Sequence, residues 1–281
     1  MESKILGICQ AMDLDLFLER IGIPQGASLG VNRATLDQLM VAHTNAVTFE
    51  NLNQQLGRRV TLSLGDIFNK VVEEHRGGWC FELNSLFAWA LEQLGFEVQM
   101  LAGQVGRQEG APMFLANHML LRVELDEPLL VDVGFGCGLA RSVPLRPGTQ
   151  MQPPYNVSVS ELSDGYLRYS EHVRGEPATY DFTLEPVTTS YFDEACERLQ
   201  TDPESPFLRT LTAQRREGNQ HLVLRGLVWR VIGHERTDEQ VFTSEEQLLT
   251  CLNDTYGLDM PEIADIWPDL LLRHEELFGS A

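Results

Sequence analysis

Cys80, His118 and Asp132 are the residues of this sequence whose types and order fit covalent catalysis. A thiolate attacks acyl carbonyls, an imidazole takes up and returns the proton, and a carboxylate fixes the imidazole tautomer. His118 follows Cys80 by 38 residues, and Asp132 comes another 14 on. Each residue alone has a plainer reading. Free cysteines are commonly small buried hydrophobes, and a lone strand histidine commonly just packs. Asp132 stands inside the apolar run Leu129-Leu130-Val131-Asp132-Val133, where a carboxylate is seldom buried without a partner. Together the three favour catalysis over packing.

Local patterns indicate the elements that must position them. Cys80 lies in Arg76-Gly77-Gly78-Trp79-Cys80-Phe81-Glu82, ahead of Leu83, Leu86, Phe87, Ala90, Leu91 and Leu94. Those three- and four-residue steps predict an amphipathic helix starting at the cysteine, with Gly95 as its C-terminal cap. A thiol there meets unpaired N–H groups and the positive dipole end, which favour the thiolate. Glu82 in the first turn suits the same dipole in a structural role. Gly77 and Gly78 permit a tight turn and leave room for a ligand to approach the main chain.

Residues 117–125 alternate like a half-buried strand, with His118 opposite Met119, Leu121, Val123 and Leu125. Asp126-Glu127-Pro128 reads as a turn into a second strand, 129–133, closed by Gly134-Phe135-Gly136. In an unbulged hairpin His118 and Asp132 share a face by parity, while their register stays open. Helical periodicity also covers 13–20, 32–43 and 63–74. Farther on, 221–232 is strand-like, Ser244 caps a helix to Asn253, and an acidic helix occupies 263–277.

These motifs make the chain similar to the arylamine N-acetyltransferases, which move an acetyl group from acetyl-CoA to arylamines, hydrazines and related amines. Arg-Gly-Gly-aromatic-Cys-Phe-Glu at 76–82 resembles the family's nucleophile signature, and Asp-Val-Gly-Phe-Gly at 132–136 its aspartate motif. Residues 17–22, Ala42-His43, Thr48-Phe49-Glu50-Asn51-Leu52 and Ser205-Pro206-Phe207 resemble further family segments. Departures are Thr48 where proline is usual, Trp79 where a smaller aromatic is commoner, and Asn117 where many members carry a hydroxyl. The larger indole beside the nucleophile would narrow or redirect the acceptor pocket.

The resemblance implies an α+β fold with a cysteine-protease-like catalytic core. Its parts are an N-terminal helical bundle (1–95) carrying the nucleophile, a central β-barrel (96–205) carrying His118 and Asp132, and a C-terminal α/β lid (206–281). It implies catalysis by Cys80, His118 and Asp132 through an acetyl-cysteine intermediate, with ping-pong kinetics. Arg76 and Glu50 are expected to pair and hold the Gly-Gly turn. Phe49, Val105 and Phe135 are expected to line the pocket, with Gly136 and Phe207 toward CoA. Acetyl-CoA is the expected co-substrate, with no metal and no bound prosthetic group. An alternative is an amide synthase of the same fold acting on a carrier-bound polyketide thioester. Thiol hydrolases of the papain or transglutaminase type share the residue order.

Composition narrows the partners. At 281 residues, 43% hydrophobic and 22% charged, the chain supports one large domain or two to three lobes. No stretch approaches the ~20 apolar residues of a membrane span, no secretion signal is expected, and no membrane partner is expected. Five cysteines, odd in number and without Cys-x-x-Cys spacing, suit the reducing cytoplasm and a free Cys80. Cys137 reads as a packing residue. A net charge of −20 argues against nucleic acid and makes any CoA site a local exception. Such a site would draw on main-chain N–H groups at Gly134, Gly136 and Gly138 and on Arg141, Arg146, Arg215 and Arg216.

Overall fold

The computed structural model describes residues 12–136, 138–174 and 177–279; Cys9 and Cys137 lie outside the described residues. Side-chain caps start the first helices. Asp13 opens α1 (Leu14–Arg20) and Asn32 opens α2 (Arg33–Ala46), each accepting from a backbone N–H of the first turn. A two-residue strand β1 (Phe49–Glu50) and a short helix α3 (Leu52–Gln55) follow. Ser63 caps α4 (Leu64–Phe68), which continues as a π turn over Asn69–Glu73.

Helix α5 (Cys80–Gln93) starts at the cysteine, and Gly95, at φ 92°, supplies the left-handed residue after its end. From Cys80 to Leu91 it is buried on all sides, unlike the one-striped helix its periodicity predicts. Its second face is polar but satisfied internally: Glu82 meets Lys70, Asn84 meets Asp132, and Ser85 meets the Met119 sulfur.

Eight antiparallel strands come next: β2 (Glu97–Val105), β3 (His118–Glu124), β4 (Pro128–Val131), β5 (Val143–Pro144), β6 (Gly148–Gln152), β7 (Tyr155–Glu161), β8 (Leu167–His172) and β9 (Ala178–Val187). Their order is β5-β4-β3-β2-β9-β8-β7-β6. The edge strands β5 and β6 are joined by 145–147 alone, so the sheet curls into a nearly closed barrel. Helices α6 (Asp193–Thr201) and α7 (Pro206–Arg209) lead out of it.

A second sheet, in the order β1-β10-β11-β12-β13, contains β10 (Thr212–Glu217), β11 (Gln220–Arg225), β12 (Val228–Ile232) and β13 (Thr237–Val241). The strand-like run 221–232 is thus a hairpin, turned at Gly226 with φ 59°. Helices α8 (Glu245–Thr250) and α9 (Trp267–Phe278) complete the chain. The last predicted helix is divided, because a 3-10 segment over Pro261–Ile266 precedes α9.

Two apolar cores result. One joins α1, α2, α4 and α5 to the inner face of the barrel. The other packs Leu52 of α3 against Leu211, Leu224, Phe242, Leu252 and Ile263. The segment from Thr48 to Leu52 therefore ties the two together: Phe49 packs in the first core, Leu52 in the second, and β1 pairs with β10 of the last sheet.

Candidate active site

The Gly-Gly turn before Cys80 is clamped by main chain. Gly78 N donates to Thr48 O (3.1 Å), and Glu50 N donates to Gly78 O (2.9 Å). A Cβ at Gly77 would overlap the Thr48 carbonyl oxygen. The space left by these glycines is filled by the Thr48 backbone and by the side chains of Glu50 and Glu82, not by a ligand path to the main chain as the sequence suggests. Four buried charges sit beneath the turn. Arg76 Nη2 donates to Glu50 Oε1 (2.8 Å), and Lys70 Nζ donates to both Glu82 oxygens (2.9 Å each). Burial opposes charge on Glu50, yet Lys70 and Arg76 hold its carboxyl below the usual range. Glu82 Oε2 also takes the Trp79 N–H (3.2 Å), closing the helix start.

The hairpin β3–β4 pairs Leu121 with Val131, so Asp132, just past β4, lies diagonal to His118 on one face. The parity argument gives the face, and the register adds the offset. His118 Nε2 and Asp132 Oδ2 are 2.7 Å apart. With Nε2 so engaged, Nδ1 is the nitrogen left to exchange a proton with the Cys80 thiol, which lines the same cavity. The thiol sulfur is also 3.8 Å from the Asn117 carbonyl oxygen. Burial works against a charge on His118, but Asp132 and then Cys80 outweigh it and raise the imidazole to about 10. Asp132 thus favours the protonated ring. Tyr180 (4.6 Å between centroids) and Phe135 (5.2 Å) wall it in.

Asn84 is a site residue that sequence reasoning misses. It sits one helical turn after Cys80 and donates from Nδ2 to Asp132 Oδ1 (2.9 Å) and Met119 O (2.7 Å). Its Oδ1 accepts Val133 N (3.0 Å). Gly134 N supplies Asp132 Oδ1 with another donor (2.9 Å). A Cβ on Gly134 would stand 2.7 Å from the Cys80 Cα, so only glycine lets this strand end rest on the helix start. The available signal was a polar residue four positions after the cysteine, on the same helix face.

The thiol opens on a cavity of about 430 Å³. Phe49, Val105, Phe135, Gly136 and Phe207 all line it, and so do Glu171 and Gln214, which the sequence did not single out. Phe207 is held in place because its carbonyl accepts from Asn51 Nδ2 (2.9 Å) and Gln55 Nε2 (2.7 Å). Asn117 accepts Val105 N through its side chain (2.8 Å), fixing another wall. Trp79 does not line the cavity. It is fully buried behind Phe207, edge to face at 5.0 Å, so the indole does not narrow the pocket directly.

The candidate phosphate partners also stand elsewhere. None of Arg141, Arg146, Arg215 and Arg216 lines the cavity. Arg216 is buried and donates to the carbonyls of Gly138 and Pro153 (2.7 Å each). Gly134 N is committed to Asp132. Among the described residues no cluster of three His, Cys, Asp or Glu side chains could hold a metal, and no helix is long and apolar enough to cross a membrane.

Known proteins resemble this chain along nearly its whole length. A family model described as N-acetyltransferase matches residues 33–265. The arylamine N-acetyltransferase of Mycolicibacterium smegmatis is 34% identical over 266 residues, covering 90% of this chain and 94% of that protein. Arylamine N-acetyltransferase 2 of Mesocricetus auratus is 30% identical over 279 residues, covering 89% and 95% respectively. Among solved structures, Mycobacterium marinum arylamine N-acetyltransferase in complex with CoA superposes with a TM-score of 0.82 at 28% identity, covering 94% of this chain and 99% of that one. Family model, sequence identity and fold thus agree, and the chain belongs to the arylamine N-acetyltransferase family.

Proposed function

We propose that this chain moves an acetyl group from acetyl-CoA to arylamines, hydrazines or related amines, carrying it on Cys80 between two half-reactions. One observation bears most of the weight. Cys80 begins a buried helix and lines a mainly apolar cavity together with His118, which has Asp132 at 2.7 Å from its Nε2. Relatives named for arylamine acetylation, one of them solved with CoA, support the same reading.

In the first half-reaction the Cys80 sulfur attacks the thioester carbonyl. An S–C bond forms to the acetyl group, the bond to the CoA sulfur breaks, and His118 hands its proton to that departing sulfur. Main-chain N–H groups at the start of α5 stabilise the transient oxyanion. In the second half-reaction an amine nitrogen attacks the acetyl-Cys80 carbonyl. The amide C–N bond forms, the C–S bond breaks, and the amine proton returns to the Cys80–His118 pair. Asp132 keeps Nδ1 directed at the sulfur throughout.

In this reading 1–95 supplies the nucleophile, 96–205 the base and its carboxylate, and 206–281 part of the cavity wall through Phe207 and Gln214. The chemistry so written calls on no metal or prosthetic group. A free reactive thiol suits the cytoplasm, and Cys196 and Cys251 are free as well.

Intact mass after incubation with acetyl-CoA, with no amine present, tests the reading. One added acetyl group on the wild type and none on Cys80→Ala is the expected result. An unmodified wild type that becomes acylated by a carrier-bound thioester would overturn acetyl-CoA as donor and favour the amide synthase.

A further inference from the structure

Glu171, on β8, is a buried carboxyl that the chemistry above does not use, and it lines the same cavity as Cys80. Its seat is built. The Tyr169 hydroxyl donates to its Oε2 (2.7 Å), and its carboxyl fills the space that any side chain at Gly138 would need. Tyr169 stacks on Tyr180 at 4.8 Å, and Tyr180 packs against His118, so the carboxyl shares one aromatic wall with the catalytic imidazole. Burial pushes Glu171 up to about 8, against the lowering effects of the Tyr169 hydrogen bond and Arg216. Arg216 directs its guanidinium at the carbonyls of Gly138, Pro153 and Gln152.

The lining contains no lysine or arginine among the described residues; its ionisable side chains are Cys80, His118 and Glu171. His118 is held between Asp132 and Cys80. A carboxyl has two oxygens, and Tyr169 engages one of them. An acceptor that brings a positively charged N–H donor would draw Glu171 into its ionised form and pair with it. An acceptor that brings a carboxylate would place two like charges in one low-dielectric space.

We infer that Glu171 is a specificity-determining residue of the acceptor half-reaction, selecting aromatic amines that carry a second, cationic donor group over those that carry a carboxylate. This rests on the arylamine reading of the site. The groups facing Glu171 are Tyr169 on its own strand, Arg216 on β10, Asp132 and His118 at the hairpin end, and Tyr180 on β9. Ionisation of Glu171 above neutrality sharpens the selection, and because any loss of charge on His118 acts in wild type and Glu171→Gln alike, the difference between the two proteins isolates Glu171.

The test measures kcat/KM for 4-aminobenzamidine, whose amidinium keeps its charge past pH 9, for 4-aminobenzoate and for aniline, in wild type and Glu171→Gln. The variant keeps the side-chain shape and an oxygen for Tyr169. The ratio of the cationic to the anionic acceptor should favour the cation in wild type and fall about tenfold or more in the variant. In wild type the same ratio should rise between pH 7 and 9 by clearly more than it does in Glu171→Gln. Because a ratio is taken within one protein, loss of folded variant does not mimic the effect. Equal ratios in the two proteins, or a wild-type ratio flat with pH, would overturn the assignment. Failure of wild type to acetylate aniline would overturn the arylamine reading and this inference with it.

Discussion

Asp132 makes three contacts with its two oxygens, to His118, Asn84 and Gly134, and each has a measurable consequence. An amide in its place loses the charge that keeps His118 protonated. Asp132→Asn should lower kcat for amine acetylation by about 10⁴-fold, read by steady-state assay with acetyl-CoA and an arylamine. Asn84→Ala frees Asp132 to rotate and should lower kcat by about tenfold or more, with less effect on KM. The raised His118 also makes stability depend on pH. The unfolded imidazole titrates near ~6.5 and the folded one at about 10, so its contribution is full below the first value and is lost as pH rises through the second. The Tm advantage of wild type over His118→Gln should therefore shrink between pH 6.5 and pH 10 in thermal scans. The types and order of Cys80, His118 and Asp132 are open to a reader of the sequence. Asn84 is not, because its partner comes from a strand end that no helical pattern names.

At the scale of elements, the site is a contact between the start of α5 and the end of β4. Gly134 makes that contact possible, and Gly77 does the same where Thr48 crosses the loop. Gly134→Ala should destabilise the protein by about 1–3 kcal/mol, seen as a lower urea midpoint. It should also slow alkylation of Cys80 by iodoacetamide, because the helix start and His118 are forced apart. The helix over 80–93 and the hairpin strands are legible from their periods, and the shared face of His118 and Asp132 follows from parity alone. The register is not legible, since the three turn residues do not fix which strand residues oppose each other. Nor does periodicity reveal that α5 is buried all round, because its polar face is met by its own N-cap and by groups from three other segments.

Across the whole molecule the cavity is assembled from distant stretches of chain. β1 pairs with β10, Phe49 opposite Gln214, and Asn51 fastens that seam to the carbonyls of Phe207 and Thr210 and to Thr212 N. Asn51→Ala would leave these groups short of partners and should cost about 2 kcal/mol or more, measured by chemical denaturation. It should also raise KM for the acceptor, since Phe207 loses its anchor. Such pairings leave no trace in local pattern. The sequence reading accordingly names Phe207 but not Gln214 or Glu171, and it lists Arg216 as a phosphate partner although its guanidinium holds loop carbonyls together.

The same seam sets an order of events during synthesis. A nascent chain emerges from its N-terminus, and its parts begin to fold as they appear. Cys80 and α5 leave the ribosome well before Phe207 and Gln214, so the proposed nucleophile is made before part of its cavity wall. In that interval the sulfur faces water and any peroxide present, and oxidation to a sulfenic acid competes with closure of the cavity. Slow elongation between the barrel and the last sheet would lengthen this exposure, and fast elongation would shorten it.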